Sequence, residues 1–123
     1  MASKKLDRNE QIVRIDAGSL IVPFFYKGKE YKALIDTTTC VIAVNTKFLD
    51  DNCLEMNDKG GFILPEFGFD KESTYPLKNI DVLILDQAED LGFDVVLGLQ
   101  GLVGSSIFID FDGTFKFTYL ADK

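Results

Sequence analysis

The 123 residues include no histidine and no tryptophan, and only two cysteines and three prolines. Without an imidazole the chain cannot run a Ser-His-Asp or Cys-His mechanism, and it lacks a principal zinc ligand. Cys40 and Cys53 have neither metal-ligand spacing nor the density of a secreted disulfide scaffold. They read as reduced, partly buried thiols, and no metal is expected. Basic residues are also scarce: 13 Lys and Arg face 20 Asp and Glu, a net charge of −7 that Lys4, Lys5 and Arg8 do not reverse locally. Nucleic-acid and anionic-membrane surfaces rely on clustered Lys and Arg, so neither partner is expected. No window approaches the roughly 20 apolar residues of a membrane span. The opening MASKKLDRNEQ has no apolar signal segment. The expected location is cytoplasmic.

What is present is a 46% hydrophobic chain with eleven phenylalanines. That is enough for one core, so the expectation is a flexible N-terminal arm over residues 1–11 and a single domain over 12–123. Periodicity favours strands almost throughout. IVRI (12–15), SLIVPFFY (19–26) and EYKALI (30–35) are separated by Ala17-Gly18 and Lys27-Gly28-Lys29, which suggests successive hairpins. A short strand is expected over Val41 to Asn45 and a two-turn helix over Thr46 to Leu54. Asn57-Asp58-Lys59-Gly60-Gly61 is a tight-turn signal between two extended arms. STYPLKNIDVLIL (73–85) reads as a strand pair or one long strand, with Pro76 favouring an edge. A polar loop (Gln87 to Gly92), a buried strand (Phe93 to Leu97), one helical turn within 98–106 and a hairpin around Asp112-Gly113 complete the chain. Closely spaced short strands make this a mostly all-β protein, a closed or folded-over barrel.

Two motifs that suggest ligands are better explained locally. Gly98, Gly101 and Gly104 lack dinucleotide or P-loop spacing, and a strand follows them where phosphate binding needs a helix N-terminus. Asp110-Phe111-Asp112-Gly113 lacks the further oxygen ligands of a calcium loop and fits a hairpin turn. No cofactor is expected.

The informative stretch is KALIDTTTCVIAV, Lys32 to Val44. A carboxylate between two apolar strands lies near the interior and needs hydroxyls or amides converging on it. An Asp capping its own turn through the threonines satisfies that condition without any function. The order of ALIDTTTCVIAVN, the Gly-rich hairpin, FDVVLGLQGL and SIFIDFDGTFKFTY resembles the retropepsin-like aspartic proteases, particularly small prokaryotic members, over about residues 18–120. Asp36-Thr37 matches the first two positions of that family's Asp-Thr/Ser-Gly loop, and Val96-Leu97-Gly98 its later hydrophobic-hydrophobic-Gly element. Thr38 stands where the family has Gly, Thr39 where Ala or Ser is common, and Gln100 where prokaryotic members often carry Asp.

The resemblance implies a closed β-barrel with one or two short helices, homodimeric because each chain donates one Asp36 to a catalytic pair. It further implies a loop supported by Thr37, Thr38 and Thr39, with Leu97 and Gly98 packed beneath it. The hairpin Asn57, Asp58, Lys59, Gly60 and Gly61 would be a flap closing on a polypeptide substrate. A positive φ at Thr38 would strain a β-branched residue. Two alternatives stay open: a retropepsin-fold pseudo-protease that dimerises or binds peptide, and a monomeric β-barrel binding module.

Overall fold

The computed structural model describes residues 6–15, 18–85 and 91–122. Among the described residues ten strands form two sheets: β1 (Asp7–Arg14), β2 (Ile21–Tyr26), β3 (Lys29–Ile35), β4 (Ile42–Val44), β5 (Glu55–Met56), β6 (Phe62–Leu64), β7 (Ile80–Ile84), β8 (Val95–Leu97), β9 (Ser106–Ile109) and β10 (Thr114–Ala121). The larger sheet has the order β2-β3-β8-β4-β7-β6-β5, and the smaller has β1-β10-β9. Helix α1 spans Thr46–Asp51, and a 3-10 turn covers Leu99–Gly101.

Local chemistry accounts for the turns. Lys27 (φ 50°) and Gly28 (φ 79°) both take the left-handed region, which gives a two-residue connection between β2 and β3 whose twist suits a hairpin. Asn45 caps α1 by accepting from the Phe48 amide at 2.9 Å. The helix stops at Asn52, shorter than the expected run to Leu54, because Asn52 turns extended and its amide side chain donates to Phe48 O (2.9 Å) and Tyr31 Oη (3.0 Å).

The core is aromatic. Phe24, Phe48, Phe67, Phe69, Phe115, Phe117 and Tyr75 are essentially inaccessible. Phe67 stacks on Phe24 (4.8 Å) and Tyr75 (5.0 Å), while Phe69 meets Phe117 edge-on at 5.0 Å, joining the two sheets. Above that contact Asp70 gathers donors from three directions: Tyr119 Oη (2.7 Å), the Ser73 amide (2.8 Å) and hydroxyl, the Glu72 amide (2.9 Å) and Asn9 Nδ2 (3.3 Å).

Three expectations are corrected. The arm drawn over 1–11 is strand from Asp7 onward, because alternate residues of β1 cover the core and all eight pair with β10, Asp7 with Ala121 through Arg14 with Thr114. For the same reason β1 forms no hairpin with β2. Residues 73–79 are not strand: a bridge between Thr74 and Asp122 and a positive φ at Asn79 shape a loop, and only Ile80–Ile84 pairs. Pro76 lies in that loop, and β7 is flanked by β4 and β6. The loop expected over Gln87 to Gly92 falls outside the described residues up to Asp90. No helix among the described residues is long and apolar enough to cross a membrane.

Candidate active site

Asp36 follows β3 directly, and its amide continues the ladder by donating to Leu97 O at 3.1 Å. The chain then loops through Thr37 to Cys40 and re-enters the sheet as β4. That loop is fastened by the segment after β8: Gly98 N donates to Val41 O (3.1 Å), Leu99 N to Thr39 O (2.9 Å) and Gln100 N to Cys40 O (2.9 Å). The approach is close enough to require glycine. A Cβ at Gly98 would stand 2.2 Å from Val41 O and 2.7 Å from Thr39 O. Leu97, wholly buried, pairs with Ile35 on one side and Ile42 on the other, so it ties together the two strands that bracket the loop.

Within the loop, the Thr38 amide donates to Asp36 Oδ1 at 2.9 Å, and the Thr38 hydroxyl donates to the same oxygen. These bonds, the hydroxyl's first and the amide's second, outweigh slight desolvation and hold the Asp36 carboxyl below its ordinary range. Asp36 Oδ2 accepts no hydrogen bond from the described residues. The carboxylate is therefore only half-buried and partly open, not enclosed as a charge between apolar strands suggests. Thr39 Oγ1 accepts a long bond (3.4 Å) from the Val41 amide. Thr37 is exposed, and its hydroxyl is unpaired among the described residues. The positive φ considered for Thr38 is not adopted: among the described residues the only non-glycine ones with positive φ are Lys27 and Asn79. Both cysteines are free and exposed, a correction to the partly buried thiols expected.

The hairpin Asn57 to Gly61 joins β5 and β6 and is held by its first residue. Asn57 Oδ1 accepts from the Lys59 and Gly61 amides, both at 2.9 Å, and Asn57 Nδ2 reaches Asp81 Oδ1 at 3.2 Å. Asp58, Lys59 and Gly60 are exposed at the tip. A pocket of about 240 Å³ opens here, lined by Met56, Asn57, Asp58, Lys59, Ile63 and Asp81. No hydrogen bond among the described residues joins this hairpin to the Asp36 loop.

Register also brings together residues that motif reading left separate or did not single out. One row across the sheet, Ile35, Leu97, Ile42, Val82 and Phe62, faces the core. The adjacent row, Ile21, Leu34, Val96, Ala43 and Leu83, faces outward and is half-buried or exposed. Leu34 lies two residues before Asp36, so strand alternation puts this apolar row on the carboxylate's side of the sheet. Period-2 alternation hints at the faces, but only the pairing register makes these residues neighbours. Among the described residues no group of three His, Cys, Asp or Glu side chains comes together as metal ligands.

These strands, with a loop carboxylate fastened by the glycine that follows β8, form the retropepsin-like aspartic protease fold. The chain is similar to the crystal structure of a retropepsin-like aspartic protease from Rickettsia conorii, with a TM-score of 0.67 over 98% of this chain and 99% of that one. The two share 18% sequence identity, so the likeness is one of fold. No family model and no curated protein matches the sequence.

Proposed function

We propose that the chain is one half of a homodimeric aspartic endopeptidase, with Asp36 of each subunit meeting at the two-fold axis. The carrying observation is an Asp36 loop fixed at both ends by residues 97–100, with one carboxylate oxygen bonded to Thr38 and the other unclaimed among the described residues. Two such carboxylates sharing a proton divide the labour. The ionised one takes a proton from water as it attacks the peptide carbonyl, and the protonated one stabilises the developing oxyanion. Like charges so close do not both ionise readily, so the pair keeps one proton over a broad pH range and titrates as a unit. Thr37, exposed beside Asp36, would bond across the axis to its counterpart. Leu97 and Gly98 support the loop from below.

An extended polypeptide would lie along the apolar row Leu34, Val96, Ala43 and Leu83, with the Asn57 to Gly61 hairpin closing over it as a flap. This reading includes a cytoplasmic location, no cofactor and neither nucleic acid nor membrane as partner. Thr38 carries no left-handed backbone strain, which removes one argument for the pseudo-protease reading; the side chain in place of Gly at 38 and Gln100 in place of Asp are the features that favour it. The decisive assay is cleavage of an unfolded protein at mildly acidic pH. Wild type is expected to cut and Asp36→Asn to be inert; equal turnover by the two would remove Asp36 from the chemistry, and an inert wild type would favour the pseudo-protease.

A further inference from the structure

We propose that Thr38 is a positioning residue for Asp36, holding Oδ1 through both its amide and its hydroxyl and leaving Oδ2 as the oxygen that faces water and the other half of the site. The inference rests on the protease reading above and concerns what this chain has added to it. A glycine at position 38 offers only an amide. Threonine adds a second donor and, with φ outside the left-handed region, does so without backbone strain.

The pair of bonds is easily formed: in the β9–β10 hairpin, Thr114 N (3.0 Å) and Oγ1 (2.6 Å) both donate to Asp112 Oδ1. What differs at Asp36 is the backbone. Bonds to the segment 97–100 fix Asp36, Thr39, Cys40 and Val41, so side-chain rotation is the main freedom left to the carboxylate, and Thr38 removes it. The segments packed against the loop present Leu20, Leu97, Gly98, Leu99 and Gln100, none of them charged. The loop's own titratable neighbour is the Cys40 thiol, and in the dimer the second carboxyl is Asp36 of the partner subunit.

Hydrogen bonds to the charged form favour it. Removing the hydroxyl should therefore move both apparent pKa values of the Asp36 pair upward, and with them both limbs of the pH profile of kcat/KM. The test is a carboxyl-carbon NMR titration of Asp36, alongside that pH profile, in wild type, Thr38→Val and Thr38→Ser. Thr38→Gly serves as a second variant that keeps the amide. Thr38→Val and Thr38→Gly are expected to shift Asp36 upward and Thr38→Ser to restore it, with Asp112 unmoved as an internal reference. Wild-type titration in Thr38→Val and Thr38→Gly would overturn the proposal. Cleavage by all forms with an unmoved profile would overturn it too while leaving the protease reading intact. A shifted Asp36 with no cleavage by any form would keep Thr38's hold on Asp36 and remove the protease reading.

Discussion

Gly98 and Asp70 illustrate how single residues carry this fold. In Gly98→Ala the new methyl meets backbone oxygens of Val41 and Thr39, which cannot rotate away, so the sheet or the Asp36 loop must shift. We expect a loss of about 1–3 kcal/mol, the usual cost of overpacking, read as a lower urea midpoint at unchanged m. Asp70 and Tyr119 set a pH dependence of stability. Burial pushes Asp70 up, but its donors on Tyr119, Glu72, Ser73 and Asn9 outweigh burial and hold it below its ordinary range. Its contribution is therefore present above the unfolded carboxylate pKa and is lost as pH falls through the lower folded value. Burial, opposed by the Gln11 bond and reinforced by Asp70, pushes Tyr119 up to about 12. That contribution is complete below pH 10 and disappears between pH 10 and about 12, because the unfolded phenol ionises first. Urea midpoints should fall over that interval, and less steeply in Tyr119→Phe; an identical alkaline limb in the variant would contradict the assignment. Gly98 was legible in sequence through Val96-Leu97-Gly98. Asp70 was not, because Asn9 and Tyr119 are 61 and 49 residues away from it.

Among the elements, the hairpin joining β5 and β6 is short, and Asn57 does much of its folding work. Asn57→Ala removes the acceptor of two amides and the tie to Asp81. Lys59 and Gly61 should exchange their amide hydrogens faster, and stability should fall by roughly 1 kcal/mol. Under the protease reading KM should rise more than kcat falls; unchanged exchange would show that β5 and β6 need no such tie. Elements with local causes were readable from sequence: the β2–β3 hairpin from Lys27-Gly28, the β9–β10 hairpin from Asp112-Gly113, and the start of α1 at Thr46. Elements defined by distant partners were not. Arg8 and Glu10 made the first half of β1 look like a solvated arm before the strand expected from Ile12, yet these exposed residues alternate with ones that cover the core once β10 lies alongside. Strand-like residues at 73–79 remain loop because Thr74 is captured by Asp122.

At the scale of the whole molecule, the parallel pairs β3–β8 and β4–β7 flank the antiparallel pair β8–β4, and this interleaving brings residues 36–41 and 97–100 together. The two segments that meet there were legible in sequence, because Asp36-Thr37 and Leu97-Gly98 are local motifs. The sequence did not carry the outward apolar row, which exists only in the register. Under the proposed reading, one Asp36 per chain would make activity a property of the pair of subunits. The most direct measurement is a subunit-mixing titration, in which wild type is unfolded with increasing Asp36→Asn, refolded at fixed total protein and assayed on an unfolded substrate. If each subunit supplies half the dyad, activity should follow the square of the wild-type fraction, falling to roughly a quarter in an equal mixture. A linear fall to about half, the result for subunits that act alone, would contradict it.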